Sequence, residues 1–253
     1  AVNPGINIVI MLLIIIGGIG FFTWEDIYLH KFRFKRYHMQ SKIILTTTLC
    51  LILLPAVFFF FQDYGNLSGT HRLFASLFQA VTPRTAGFNT TDLSMLTGAS
   101  KAMMILLMLI GGSPSSTAGG MKTTTFALLL LNVLATFQSR DDVTAFGRRI
   151  DVGVIKNAAT IAMMYFMLFF FGGITISVYE GLPVLTCFYE AASAVGTVGL
   201  TLGVTPGLHI ISRLILIVLM YLGRVGGMTL IYAVFSDKNK RKAKLPLDKI
   251  IVG

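Results

Sequence analysis

GGSPSSTAGG, residues 111–120, stands in the middle of an apolar segment that runs from Ser100 to Phe137. The segment has 38 residues, and at about 1.5 Å per helical residue it is far longer than a bilayer core of about 30 Å requires. Its ten central residues are small, apart from one proline. Backbone that leaves a helix at membrane depth needs protein or water to satisfy its amides. We therefore expect a broken span whose loop faces a cavity inside a helix bundle.

The composition of the whole chain agrees with a membrane location. The 253 residues are 55% hydrophobic and 13% charged, with a mean hydropathy of +0.77, whereas soluble domains carry about 25% charged residues. Four further runs could cross a bilayer: Ile6–Phe22, Ile43–Phe61, Val154–Val178 and Ser212–Phe235. The fold class predicted is an all-α integral membrane protein. Cys50 and Cys187 lie in apolar runs and are interpreted as small buried hydrophobes rather than as a disulfide or metal site.

Basic residues are concentrated in three segments, although the net charge of +10 could by itself suggest nucleic acid. Fifteen of the 21 Lys and Arg residues lie there: Lys31, Arg33, Lys35, Arg36, Lys42; Arg140, Arg148, Arg149, Lys156; and Lys238, Lys240, Arg241, Lys242, Lys244, Lys249. Short basic loops between spans stay on the cytoplasmic side. The pattern thus predicts a multi-pass protein in a lipid bilayer with a cytoplasmic C-terminus, and no nucleic-acid partner.

Two semi-apolar stretches on the predicted outer side resemble each other. They are Thr70–Asn89 and Gly181–Thr201, and their matching stretches are FQAVTPRTAGFNT (Phe78–Thr90) and YEAASAVGTVGLTL (Tyr189–Leu202). Both run from an aromatic residue and Gln or Glu through small residues into Thr-x-Gly, and Gly199 follows Gly87 by 112 residues. Each is too short to span the membrane and too apolar for a solvated loop. The sequence therefore predicts a repeated unit of span, re-entrant helix, short extended strand and span.

This repeated unit suits a desolvated monovalent cation. A re-entrant helix aims its negative carbonyl end into the membrane, and an extended Thr-x-Gly strand can replace an ion's water shell with carbonyl oxygens. Glycine lets such a strand approach the ion closely. The predicted cage residues are Thr85, Ala86 and Gly87 on one side and Thr197, Val198 and Gly199 on the other.

Four motifs resemble the TrkH/KtrB superfamily of potassium uptake proteins: TPRTAGFN, AVGTVGL, GGSPSSTAGGMKTTT (Gly111–Thr125) and GRVGGMTL (Gly223–Leu230). The resemblance implies four span–pore–span repeats around one pore. It divides this chain into 1–41, the last span of the second repeat with a basic loop; 42–153, the third repeat; and 154–253, the fourth repeat and a basic tail. Since two filter strands cannot close a four-sided cage, we expect a fragment of a longer subunit, or a second chain that supplies the first half.

The resemblance also implies roles for residues and partners. The transported ion would be K+, held at Thr85, Gly87, Thr197 and Gly199 and driven inward by the membrane potential, with no organic cofactor. An intramembrane gate would comprise Gly111, Gly112, Ser113, Pro114, Ser115, Ser116, Thr117, Ala118, Gly119, Gly120, Lys122 and Arg224. A homodimer in the bacterial inner membrane would dock on a cytoplasmic ring of nucleotide-binding subunits of the TrkA/KtrA type. Sodium selectivity or coupling is the alternative within the superfamily.

Four charged residues leave two interpretations open. Arg224 either constricts the pore or bonds loop carbonyls for structure alone, because a lone guanidinium in a span is costly unless paired. Lys122 either extends toward cytoplasmic water or tunes the pore. Glu190 either adds negative field or braces its re-entrant helix. Arg84 is expected to point behind its filter strand, since it would repel a cation in the pore.

Enzyme and scaffold functions fit the sequence poorly. The serines of the 111–120 loop lack a G-x-S-x-G motif and a histidine within any predicted span. AGGMKTTT resembles a phosphate loop, but Met121 separates Gly120 from Lys122. His71 and His209 have no carboxylate or Cys partner at ligand spacing and are interpreted as surface residues. A scaffold would leave the repeated Thr-x-Gly strands and the broken span unexplained.

Overall fold

The computed structural model describes residues 4–31, 33–65, 67 and 69–226. Its helices are α1 Pro4–Ile19, α2 Phe21–His30, α3 Met39–Gln62, α4 Gly69–Val81, α5 Gly98–Leu109, α6 Thr123–Phe137, α7 Val152–Glu180, α8 Val184–Val195 and α9 Ile210–Val225. The expected end of the last span near Phe235, the motif residues from Gly227 onward and the basic tail lie outside the described residues. The all-α prediction is confirmed, with one unexpected addition: β1 (Thr144–Ala145) and β2 (Arg148–Arg149) form a small antiparallel hairpin before α7.

The first apolar run is not one straight span, and in this respect the prediction of Ile6–Phe22 was wrong. Helix α1 ends at Ile19, and α2 begins at Phe21 at 95° to it. Gly20 between them has φ +88°, which a side chain rarely adopts, and a Cβ there would overlap the Pro114 carbonyl oxygen. The corner is therefore formed around the 111–120 loop.

Two helices in the described part of the chain are long and apolar enough to cross a membrane alone. They are α3, with 24 residues, and α7, with 29. The bent pair of α1 and α2 adds a third candidate if it counts as one span. Helices α5 and α6 are the two halves of the predicted broken span, and α9 begins the last one. The chain is thus a membrane protein with an interrupted helix at the position that the sequence predicts.

The two re-entrant helices, α4 and α8, form as predicted. Helix α4 packs on α3 and α1, while α8 is enclosed by α7, α5 and α9. The fully buried residues of α8 include Tyr189, Ala191, Ala192 and Val195. The small residues among them let neighbouring backbones come close: a Cβ at Gly223 of α9 would overlap the Val195 carbonyl oxygen. Burial on this scale fixes the end of α8, from which the second Thr-x-Gly segment starts.

Carboxylates at the ends of α3 and α7 form hydrogen bonds to the residues just before α5 and α9. Asp63 accepts a hydrogen bond from the Thr97 backbone N–H (3.2 Å) before α5. Glu180 accepts from both the backbone N–H and Nδ1 of His209 (2.9 Å each) before α9. The interpretation of His209 as a surface residue is confirmed, and its hydrogen-bond partner is this carboxylate. The partner lies 29 residues away in sequence, where no local pattern indicates it.

The two cysteines have different surroundings. Cys187 in α8 is buried as expected, but Cys50 in α3 is exposed on the surface of the described chain. The interpretation of Cys50 as a buried hydrophobe was therefore wrong for the described chain.

Candidate functional site

Both Thr-x-Gly segments share an unusual backbone. Positive φ angles occur at the threonine and the glycine of each: Thr85 (58°), Gly87 (73°), Thr197 (52°) and Gly199 (88°). The prediction of short extended strands was wrong in this detail. In an extended strand successive residues face opposite sides. When residues of positive and negative φ alternate, neighbouring carbonyl groups can point to the same side. Two threonines at positive φ cost of order 1–3 kcal/mol each, so the same strain is held twice by the surrounding fold.

The two segments lie against each other. A Cβ added at Gly87 would overlap the carbonyl oxygen of Val198 in the other segment. Each turn is closed from the end of its re-entrant helix. The Thr82 carbonyl accepts from the N–H groups of Ala86 (3.3 Å) and Gly87 (3.4 Å), and the Ser193 carbonyl accepts from the Val198 N–H (2.8 Å). The fold thus brings together the two sets of residues that the sequence assigned to one cage.

Glu190 braces the chain that follows the second segment. It is 5% exposed. Its Oε1 accepts from the Thr201 hydroxyl (2.7 Å) and the Leu202 N–H (2.9 Å), and its Oε2 accepts from the Thr205 hydroxyl (2.8 Å). Three donors on one carboxylate favour the bracing alternative. In the other repeat Gln79 has a corresponding place, since its Oε1 accepts from the hydroxyl of Thr91 (3.4 Å), which follows the first segment.

Arg84 points behind its segment, as expected. Its Nη2 donates to the Thr48 hydroxyl of α3 (3.2 Å), and the residue is 4% exposed. Its buried Nη1 has no hydrogen-bond partner among the residues that the structure describes. Arg84 also lines a cavity of about 310 Å³ together with Thr85, Ala86 and Thr117. A buried cation therefore stands beside the third-repeat segment without a carboxylate partner in this part of the chain.

The outer turn after the first segment is internally bonded. Asn89 Oδ1 accepts from the Thr91 N–H (3.2 Å). The Ser94 hydroxyl and backbone N–H donate to Asp92 Oδ1 (2.7 and 2.9 Å) and hold the pKa of that carboxyl below its ordinary value. Both side chains therefore serve as ordinary turn residues in this structure.

The interrupting loop leaves and re-enters its span at one place. The Gly111 N–H donates to the Met121 carbonyl (2.8 Å), and the Thr123 N–H donates to the Gly112 carbonyl (3.0 Å). The hydroxyls of Ser113 and Thr123 lie 3.0 Å apart in a buried hydrogen bond. These bonds close the neck of the loop, so residues 113–120 form a compact unit between α5 and α6.

This loop touches the fourth-repeat Thr-x-Gly segment. A Cβ at Gly119 would overlap the Thr197 hydroxyl, and one at Gly120 would lie 3.3 Å from Gly196 Cα. Thr117 and Ala118 line the same cavity as Thr85 and Ala86. The loop thus lies beside both segments, and Gly119 and Gly120 are in close contact with Thr197 and Gly196.

Two cations and one backbone amide bind the loop. Arg224 Nη1 donates to the Thr117 carbonyl (2.7 Å), Lys122 Nζ donates to the Ala118 carbonyl, and the Gly120 N–H donates to the Gly223 carbonyl (3.2 Å). Lys122 is folded back onto the loop rather than extended toward water. Both predicted gate cations therefore hold adjacent carbonyls of the loop.

The other side of the loop is held by residues that the sequence analysis did not assign to the site. The Ser113 N–H donates to the Gly18 carbonyl (2.9 Å), and the Phe21 N–H donates to the Ser115 carbonyl (3.2 Å). A signal was present, because GGIGF (Gly17–Phe21) resembles GRVGG (Gly223–Gly227). The described parts of these two glycine motifs contact the loop from α1 and from α9.

Comparison with known proteins identifies the family. The model of the family described as "TrkH: Cation transport protein" matches residues 1–242. Ktr system potassium uptake protein B of Bacillus subtilis is 35% identical, over 99% of this chain and 57% of that protein. Potassium/sodium uptake protein NtpJ of Enterococcus hirae is 37% identical, over 99% of this chain and 58% of that protein.

A solved structure shares the fold. The potassium transporter TrkH from Vibrio parahaemolyticus superposes with a TM-score of 0.74 at 20% identity, over 92% of this chain and 53% of that one. The chain spans about half the length of the relatives it matches. The family match and the arrangement of re-entrant helices, Thr-x-Gly segments and broken span agree: this chain belongs to the TrkH family of cation transport proteins.

Proposed function

We propose that this chain forms two of the four sides of a pathway for K+ uptake across the plasma membrane. The observation that carries the proposal is the shared backbone of the two Thr-x-Gly segments, which lie in contact beside an intramembrane loop. Relatives named as potassium uptake proteins support the choice of ion. The family is one of transporters, so chemistry on a substrate is not part of the proposal.

The carbonyl oxygens of the two segments replace the water shell of the ion. Those of residues 85–87 and 197–199 each supply one side of the cage, and K+ binds at the level of Thr85, Gly87, Thr197 and Gly199. Inward movement is driven by the membrane potential, since one charge gains about 2.3 kcal/mol per 100 mV.

The 111–120 loop acts as the gate. Its contact with Thr197 and the shared cavity beside Thr85 support a position directly next to the filter. Arg224 and Lys122 hold it in place through the carbonyls of Thr117 and Ala118. Releasing these bonds frees the loop to move, and its small side chains leave room for an ion.

The complete pore needs two further sides. We infer that the division into 1–41, 42–153 and 154–253 corresponds to the end of a second repeat, a third repeat and a fourth repeat. The first two repeats come from the part of the relatives that this chain does not match. The assembly is a homodimer in the inner membrane with a cytoplasmic C-terminus, docked on a ring of nucleotide-binding subunits.

Uptake in a bacterium that lacks its own potassium transporters tests the proposal. The chain alone is compared with the same chain preceded by the segment that corresponds to the unmatched part of its relatives. Rubidium influx and growth on limiting K+ are expected only for the longer protein. Influx through the 253 residues alone would contradict the four-sided pore. Sodium influx is measured in parallel, because one relative is named for both ions.

A further inference from the structure

Helix α2 presents an apolar aromatic face that nothing in the described chain covers. Phe21, Phe22, Tyr28 and Leu29 are 72%, 62%, 83% and 62% exposed. At about 100° per residue all four fall on one side of the helix, and the exposed Glu25 is the charged residue among them. Thr23 and Asp26 on the opposite side are buried. The helix thus turns outward a largely apolar, aromatic side that has one carboxylate, Glu25, at its centre.

The orientation of α2 suits a membrane surface. It runs at 95° to α1, so if α1 crosses the bilayer then α2 lies nearly in its plane. Helices of this kind bury their apolar face at the boundary between headgroups and acyl chains, and aromatic residues concentrate at that depth.

A basic segment follows directly. Lys31, Arg33, Lys35 and Arg36 are all exposed, and within the described ranges no carboxylate lies within 4.0 Å of their charged groups. The aromatic face would lie at the boundary of the acyl chains, and the cations that follow it would lie at the level of the anionic headgroups. Each cation near such a surface contributes about 1 kcal/mol of attraction, or about fivefold in affinity.

The helix is fixed rather than loosely attached. Trp24 Nε1 donates to the Ile16 carbonyl of α1 (2.9 Å). Buried Asp26 accepts from the His38 backbone N–H (3.0 Å) at the start of α3 and lies 2.6 Å from His38 Nδ1. Because the middle of α2 is bonded both to α1 and to the start of α3, a displacement of α2 is passed on to these helices.

The same corner contacts the gate loop. Phe21, whose side chain belongs to the exposed face, donates its N–H to the Ser115 carbonyl (3.2 Å), and Gly20 lies against the Pro114 carbonyl. An apolar cavity of about 500 Å³ lies between this corner and Ser115 and Thr117. Phe21 is therefore part of the exposed aromatic face and also contacts the loop.

We propose that α2 and the four cations that follow it form a binding site for an anionic phospholipid of the inner leaflet, and that the bound lipid changes the position of the gate loop through Gly20 and Phe21. The inference rests on the proposed function for the side of the membrane on which these cations lie. Charge complementarity favours lipid over a second copy of the chain, whose matching segment would carry the same positive charge.

Lipid binding is tested separately from transport. The purified longer protein is incubated with equal amounts of phosphatidylglycerol and phosphatidylcholine, and bound lipids are counted by native mass spectrometry. The variant K31Q/R33Q/R36Q is expected to lose at least about tenfold in preference for phosphatidylglycerol. The matched control is R140Q/R148Q/K156Q, which removes three exposed cations from the other inner basic segment and is expected to keep the preference.

Flux is then measured in the longer protein reconstituted with and without phosphatidylglycerol. Rubidium flux is expected to respond to this lipid in the wild type and in the control, and not in K31Q/R33Q/R36Q. Equal loss of lipid preference in both variants would overturn the site. A structure of the dimer in which protein covers the exposed face of α2 would overturn it as well. Lipid binding without any effect on flux would overturn the coupling. A protein that binds lipid selectively but carries no rubidium would instead reject the transport proposal.

Discussion

Arg224 Nη1 donates a 2.7 Å hydrogen bond to the carbonyl oxygen of Thr117, 107 residues earlier in the chain. This bond joins α9 to the loop that interrupts the third span, beside the bond from Lys122 to the next carbonyl. Charge-assisted hydrogen bonds are about twice as strong as neutral ones. The bonds from Arg224 and Lys122 therefore fix the two loop residues, Thr117 and Ala118, that line the cavity beside Thr85.

Replacing Arg224 with Gln is expected to raise rubidium flux several-fold in the longer protein, because the loop loses its charged anchor. Arg224→Lys keeps the charge, and its flux is expected to lie between those of the wild type and Arg224→Gln. The matched control is Arg213→Gln on the same helix, whose guanidinium donates to the Pro206 carbonyl in the outer loop. Flux that is unchanged in Arg224→Gln would show that the bond is purely structural.

Gly87→Ala is expected to reduce flux at least about tenfold, because the new Cβ would overlap the Val198 carbonyl oxygen and the residue has φ +73°. Gly199→Ala separates the two causes. It has φ +88° but open space around its Cβ position, so it bears only backbone strain, of order 1–3 kcal/mol. We expect a milder loss there, measured as rubidium influx normalised to membrane abundance. Equal losses at both positions would contradict the contact between the segments.

Glu190→Ala is expected to lower the melting temperature and to weaken discrimination between rubidium and sodium, because three donors lose their acceptor. Hydrogen bonds to a charged group contribute about 1.5–3 kcal/mol each to stability. Glu190→Gln keeps one acceptor oxygen and is expected to recover part of both properties. Asp141→Asn, at an exposed site before β1, is the control. A selectivity change with no loss of stability would favour the field interpretation of Glu190 instead.

The features that depend on local pattern could be predicted from the sequence. The Thr-x-Gly segments recur 112 residues apart, and the small residues of 111–120 stand out in an apolar run, so composition and spacing are enough to identify both. The 95° corner at Gly20 was missed because its cause is the Pro114 carbonyl of a distant loop. The Glu180–His209 bond was missed for the same reason. Contacts between distant segments have no local signature, whereas helix period and loop composition do.

The unpartnered Nη1 of Arg84 leads to a test of charge near the filter. The guanidinium is buried beside the cavity that Thr85 lines, and a positive charge in a low-dielectric site repels a cation more strongly than it would in water. Arg84→Gln removes the charge while keeping a donor for Thr48. We expect it to lower the KM for rubidium several-fold, since the ion then enters a less positive site.

Thr48→Val in α3 is the complementary variant, because it removes the acceptor of the Arg84 Nη2 bond and leaves the guanidinium charged. If the charge determines ion affinity, Thr48→Val keeps the wild-type KM and only Arg84→Gln changes it. If Arg84 acts by bracing the segment through this bond, Thr48→Val reduces flux and shifts selectivity, whereas Arg84→Gln, which keeps a donor for Thr48, changes them less. Initial rates of rubidium influx over a range of concentrations distinguish the two outcomes, and a KM unchanged in Arg84→Gln would reject the electrostatic role.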